Sequence, residues 1–247
     1  NFRGVLTLSN QQVDQLVEQG VIRDGWLHYE VISRGSGDRR FHGQVQLIEN
    51  RGISVISDID DTMKNTQVHD LQLMLENTFL EEFQPIDGLH AVYREWAAAG
   101  ASFHYVSSSP WPLFEPLNDF CQQVGFPSGS YHLRLLRLRD HMLRRIPVIR
   151  RRGKGGKIKA ILRSFPHRRF VLVGDSAERD PEIYGAAARL YGDRVVGIYI
   201  RQVSPRQLDE ERAERAFQGL PRQLWTTFEA AHELPEHLLV PELASSV

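Results

Sequence analysis

Three carboxylates, Asp58, Asp60 and Asp61, fall within four consecutive positions and are followed at once by Thr62. They come directly after residues 53–57, a short β-branched run that reads as a strand. Like charges this close repel and raise one another's pKa values, so a fold keeps such a cluster when a cation or a positive substrate group compensates it. The plain alternative is an acidic, solvated loop with helix-capping duties. Two further groups weigh against it. Gly174-Asp175-Ser176 follows a strand-like run at 170–173, with Asp180 beyond it, and Ser107-Ser108-Ser109 follows another at 103–106. If those three strands are parallel neighbours, their carboxylates and hydroxyls converge at one sheet edge, where such sheets bind ligands. An all-oxygen donor set suits Mg2+, which keeps several waters and takes phosphate as a partner. His132 and His141, with no cysteine near them, make no competing zinc site.

The elements that must carry these residues alternate. Helices are expected at 68–83, 89–99, 113–124, 158–164 and 183–191, between strands at 53–57, 103–106, 170–173 and 195–200, the last clear one. That alternation predicts an α/β fold with a mostly parallel, Rossmann-like sheet and helices on both faces. The first fifty residues differ. A short strand at 5–8, a Ser9-capped helix over 10–19, and two alternating strands at 26–32 and 41–48 predict a small β-rich accessory region. The expected organisation is therefore 1–50 accessory region, 51–204 catalytic core and 205–247 helical tail, packed on the core or extending it.

Composition excludes several classes. The 247 residues carry 30 basic and 31 acidic side chains, so there is no uniformly basic nucleic-acid coat. The single cysteine, Cys121, rules out an intramolecular disulfide or an all-cysteine metal cluster. No apolar run is long enough for a membrane-spanning helix. The chain opens at Asn1 without a charged-then-apolar leader. A cytoplasmic or peripheral-membrane location is expected, with a removed export signal left open.

In order, the motifs resemble those of the haloacid-dehalogenase-like phosphohydrolases: Asp58-Ile59-Asp60-Asp61-Thr62, then Ser107 at a strand end, Lys157 of Gly155-Gly156-Lys157-Ile158, and Gly174-Asp175 with Asp180. A narrower likeness runs from about Gly25 through Val203. Ser57 to Lys64, Tyr105 to Trp111, and Gly174-Asp175-Ser176 with Asp180-Pro181-Glu182-Ile183-Tyr184 resemble the catalytic domain of the actin-patch-associated phosphatidate phosphatases and their bacterial relatives. Met63 departs from the usual isoleucine without touching the chemistry, and the proline-rich scaffold-binding tail of the fungal members has no counterpart here.

The resemblance implies a Mg2+-dependent phosphatidate phosphatase that works through an aspartyl-phosphate. The intervals between the first three motifs do not easily hold a large separate cap domain. Asp58 would be the nucleophile and Asp60 the general acid and base. Ser107 and Lys157 would hold phosphate oxygens, with Ser108 and Lys154 as their rivals. Mg2+ would be held by Asp58, the main-chain carbonyl of Asp60, and Asp175. Asp180 would serve the metal's waters or orient the lysine, and Asp61 and Thr62 would support the turn or reach the site indirectly. The alternatives are another phosphomonoester (lysolipid phosphate, sugar phosphate, nucleic-acid end or phosphoprotein), or an inactive binding or scaffold protein.

Fourteen of the 30 basic residues lie within 134–169, against one acid, Asp140. Leu135, Leu136, Leu138, Met142 and Leu143 are mixed into its first part, and Tyr131 and Leu133 come just before it. This composition fits an anionic membrane surface, with Arg150, Arg151 and Arg152 as candidate contacts. A solvated face balancing the acidic remainder is the bland reading. Sparse aromatics make nucleic acid an unlikely partner.

Overall fold

The structure, a computed structural model, describes residues 7–32, 40–65, 83–135 and 147–238, without the side chains of residues 65 and 147–152. The helix expected at 68–83 lies outside the described residues, apart from position 83. By its internal contacts the chain divides into two units, Asn1–Glu49 and Asn50–Val247.

In the first unit, helix α1 (Asn10–Glu18) begins with a reciprocal capping box between Ser9 and Gln12. Strands β1 (Ile22–Arg23), β2 (Trp26–Ile32) and β3 (Arg40–Gln46) form an antiparallel sheet in that order. Thr7 and Leu8 take no strand conformation, so the strand expected at 5–8 does not form over its described half.

In the second unit the elements run β4 (Ile53–Ser57), β5 (Lys64–Asn65), β6 (Gln84–Pro85), α2 (Leu89–Ala98), β7 (Ser102–Pro110), α3 (Phe114–Val124), β8 (Gly129–Arg134), α4 (Pro147–Ser164), β9 (Arg169–Asp175), α5 (Asp180–Tyr191), β10 (Val195–Arg201), α6 (Glu210–Phe217) and β11 (Trp225–Phe228). Six strands make one parallel sheet in the order β11-β10-β9-β4-β7-β8. The central strands are buried along nearly their whole length because both faces are covered. Val55 and Val171 point into a core with Tyr93 and Trp96 of α2 and Leu117 of α3. Ile56 and Leu172 point into another, with Ile158 of α4, Tyr184 of α5 and Phe217 of α6.

From β4 the chain steps outward to β7 and β8, then returns to the other side of β4 as β9. The strand order therefore reverses between β4 and β9, and a crevice opens at their C-terminal ends.

Three expectations are corrected. Strand β8 forms where no strand was expected and ends at Arg134, the first residue of the basic segment. The run 195–200 is not the last strand, because β11 pairs in parallel with β10 from Ile198↔Trp225 to Arg201↔Phe228. The C-terminal region is therefore part of the sheet as well as helical, and Ala213, Ala216 and Phe217 of α6 are buried in the core. Finally, Ser107, Ser108 and Ser109 lie inside β7 rather than after it, since pairing with β8 resumes at Pro110↔Arg134.

Candidate active site

Asp58 follows the last residue of β4 and its main-chain N–H donates to the Val173 carbonyl of β9 at 2.9 Å, so the sheet extends to the carboxylate. Ser57 is tied down by the Tyr93 hydroxyl at 2.8 Å. Asp175 ends β9 on the neighbouring strand. Its Oδ1 accepts from the N–H groups of Ala177 and Glu178, at 2.6 and 2.9 Å, which curls the chain toward α5. Asp180, the first residue of α5, folds back over Gly174 and accepts from the Asp175 N–H at 3.2 Å. A Cβ on residue 174 would collide with the Asp180 carboxylate, so glycine is the residue that lets the two come together. Arg212 of α6 holds the same loop, donating to the Ser176 and Glu178 carbonyls, both at 2.5 Å.

One oxygen each of Asp58, Asp175 and Asp180 lies within 4.8 Å of the others, and all three side chains are buried. The lysine among them is Lys154, not Lys157. Its Nζ is 2.8 Å from Asp58 Oδ1, 2.5 Å from Asp180 Oδ1 and 3.4 Å from Glu178 Oε2, and it is buried. Lys157, one helical turn on, donates instead to the Ser107 carbonyl at 2.9 Å. Burial, with Lys154 and Arg134 nearby, lowers Lys157 to about 8.

Three acids around one ammonium leave excess negative charge. Burial pushes the Asp58 carboxyl well above the usual range, opposed by Lys154 and reinforced by Asp180 and Asp175. Burial and then Asp180 push Asp175 up to about 7. Asp180 is raised by burial against the pull of Lys154, and Lys154 is raised because the Asp180 and Asp58 charges outweigh its own burial. Asp175 Oδ2 is buried and accepts no hydrogen bond among the described residues. Hard oxygen donors, surplus negative charge and an unsatisfied carboxylate oxygen together fit a small divalent cation.

Asp60 belongs to a second nest. Asp61 takes a left-handed turn at φ 55°, stabilised by Arg201 donating to its carbonyl at 2.8 Å. Asp60 Oδ2 accepts from Ser107 Oγ at 2.7 Å and Ser109 Oγ at 2.9 Å, while Oδ1 pairs with Lys64 Nζ at 2.8 Å. Burial alone would raise Asp60, but Lys64 and these donors outweigh it and hold its pKa below the ordinary value.

Of the remaining candidates, Thr62 Oγ1 donates to Asp58 Oδ2 at 3.4 Å. Ser108 donates to Glu178 Oε2 at 3.5 Å, the oxygen that also meets Lys154, and Ser107 is the more buried of the two. The side chains of Arg150, Arg151 and Arg152 lie outside the described residues. Sequence reasoning did not assign roles to Lys64, Ser109 or Glu178. Ser109 carried a signal as the third hydroxyl of the serine run, and Lys64 as the last residue of the family-like Ser57 to Lys64 segment; Glu178 carried none.

The family described as "Phosphatidate phosphatase APP1, catalytic domain" matches residues 53–202, which hold every carboxylate above. An uncharacterised protein of Schizosaccharomyces pombe is 34% identical over 169 residues, which is 67% of this chain and 27% of that one. Phosphatidate phosphatase APP1 of Saccharomyces cerevisiae is 36% identical over 154 residues, 61% of this chain and 26% of that one. This chain thus spans about a quarter of the length of these relatives. Among solved structures, a D,D-heptose 1.7-bisphosphate phosphatase from B. bronchiseptica covers 72% of this chain and 93% of its own, at 15% identity and a TM-score of 0.42.

Proposed function

We propose a function from one premise: the chain belongs to the APP1 catalytic-domain family of phosphatidate phosphatases, within the haloacid-dehalogenase-like superfamily. It is a Mg2+-dependent phosphomonoesterase acting through an aspartyl-phosphate, and its substrate is phosphatidate. The observation that carries the chemistry is the buried trio Asp58, Asp175 and Asp180 with Lys154 on the nucleophile. The substrate reading rests on the family and on the basic character of residues 134–169.

Asp58 is the nucleophile. A carboxylate oxygen forms a bond to phosphorus as the bond from phosphorus to the diacylglycerol oxygen breaks. Lys64 and the two serines favour the Asp60 carboxylate, so Asp60 first takes up a proton and then gives it to the leaving alkoxide. As carboxylate it then takes a proton from water attacking phosphorus, and this releases inorganic phosphate and restores Asp58. Lys154 offsets the charge of Asp58, so an anionic nucleophile can approach an anionic substrate. Asp58 and Asp175 would hold the cation, with the Asp60 carbonyl as a third ligand and Asp180 beside them. When bound, Mg2+ supplies charge neutralisation at the transferring phosphoryl group. Asp61 and Thr62 shape the turn.

The test is Mg2+-dependent phosphate release from phosphatidate in mixed micelles, set beside lysolipid phosphate, a sugar phosphate, a phosphopeptide and a 5′-phosphorylated oligonucleotide. Turnover of phosphatidate that is lost on chelation, and lost by at least about 10⁴-fold in Asp58→Asn, is expected. Preference for a water-soluble ester would move the substrate elsewhere, and wild-type turnover by folded Asp58→Asn would remove the mechanism.

A further inference from the structure

Lys64 is almost fully buried, with 2% of its side chain exposed. Lysine is rarely buried to that degree unless paired, because taking an ammonium out of water costs several kcal/mol. Its Nζ sits 2.8 Å from Asp60 Oδ1 and 4.7 Å from the centroid of the Phe83 ring. The Asp60–Lys64 spacing is not helical. The left-handed Asp61 turns the chain, the N–H groups of Met63 and Lys64 both reach the Ile59 carbonyl, and Lys64 opens β5 opposite Pro85 of β6. Phe83 immediately precedes β6 and meets Phe120 of α3 edge-on at 5.6 Å. A chain of contacts thus runs from the packed core through an aromatic face and a buried cation to one carboxylate oxygen, while Ser107 and Ser109 hold the other.

We propose that Lys64 is the positioning residue of Asp60: its ion pair, seated on Phe83, fixes the carboxylate at one oxygen so that the two serines can aim it by the other. The role rests on Asp60 being the general acid and base. An apolar side chain would fill the space beside Phe83 without a buried charge. Burying the ammonium is therefore explained by charge pairing, with Asp60 as a partner, and not by packing. Without it, the carboxylate keeps, among the described residues, only the Ser107 and Ser109 hydroxyl donors on Oδ2 and can pivot about them.

The experiment compares Lys64→Met, Asp60→Asn and the double variant on an alkyl phosphate, whose leaving group needs a proton, and on p-nitrophenyl phosphate, whose leaving group needs little help. Loss of a positioned acid is expected to lower kcat/KM, which reports cleavage of the ester bond and not the later attack of water, for the alkyl ester by about 10²-fold or more. The loss on the aryl ester should be at least about tenfold smaller, and the double variant no slower than Asp60→Asn. Phe83→Leu, which keeps the ion pair, should show the same leaving-group pattern at reduced size. It serves in place of Lys64→Met if that variant does not fold. Equal losses on both esters, with additive effects in the double variant, would overturn the proposal. A crystal structure of Lys64→Met adds a readout independent of turnover: Asp60 Oδ1 should swing away from its wild-type position while Oδ2 keeps Ser107 and Ser109, and an unmoved carboxylate would also overturn it. A wild type inactive on every ester would sink the phosphatase reading alone, leaving that crystal structure to decide whether Lys64 positions Asp60.

Discussion

The Nζ of Lys154 lies 2.8 Å from Oδ1 of Asp58, and both side chains are withdrawn from solvent. The pair joins α4 to the C-terminal end of β4, and Asp180 at the start of α5 binds the same ammonium. One lysine therefore fastens three elements at the strand reversal. Lys157 sits on the same helix and is half-buried over the Ser107 carbonyl.

This arrangement separates the two lysines experimentally. Lys154→Met should lower kcat by about 10²–10³-fold, the usual effect of removing one charge-stabilising donor. It should also destabilise the metal-free protein by about 3 kcal/mol, because two buried carboxylates lose their partner. Lys157→Met should cost less than about tenfold in kcat and leave stability nearly unchanged. Steady-state kinetics with urea unfolding in EDTA distinguishes the two, and a reversed order would return the phosphate-side role to Lys157.

Asp175→Asn keeps the acceptor for the Ala177 and Glu178 N–H groups but removes a charge. Asp175 is raised to about 7, so at pH 8 the folded state ionises it against its surroundings while the unfolded chain does so freely. The Asp175 contribution to stability falls as pH rises from about 4 through 7, by roughly 4 kcal/mol at most. The variant should therefore melt higher than wild type at pH 8 in EDTA. It should also lose the rise in Tm that Mg2+ gives the wild type. An unchanged Mg2+-induced rise would take Asp175 out of the cation site.

His104 gives a pH signature far from the chemistry. Burial, with His132 and the Arg168 guanidinium nearby, lowers it to about 3, and its ring contacts Ser130 at 2.7 Å and Ser54 at 3.3 Å. The unfolded chain takes up the proton below about pH 6.5, whereas the folded state does not until about pH 3. The contribution is complete above pH 7 and falls away as pH drops through that window. Between pH 7 and 5 the wild type should lose about 2 kcal/mol more than His104→Asn. Equal losses in urea titrations at the two pH values would show that His104 is protonated in the fold.

If the basic segment meets an anionic bilayer, removing Arg150, Arg151 and Arg152 together should weaken vesicle binding. At about 1 kcal/mol per charge the loss reaches at most about 100-fold, and it shrinks as salt rises. Turnover of a soluble ester should change little. Co-sedimentation with vesicles containing or lacking phosphatidate reads the difference, and equal binding by parent and variant at low salt would end the interfacial reading.

Much of this molecule is legible without coordinates. The runs ending at Ser57 and Val173 are apolar on both faces, which marks central parallel strands, and the carboxylates follow them within one or two residues. Position along the chain and local pattern are enough for that, and for the α/β class. Strands β8 and β11 are different. They are short, polar or half-buried, and become strands only because β7 and β10 offer them an edge. Nor can composition choose between Lys154 and Lys157. They are the same residue type three positions apart, and the phase of α4 against β4 and α5 decides which one meets Asp58. Lys64 likewise reads as one more polar residue after a motif until the Asp61 turn, Phe83 and Asp60 enclose it. Sequence determines what is adjacent along the chain. Burial and charge pairing between segments depend on how the sheet and helices close around them, so tertiary structure alone decided which cations serve which carboxylates.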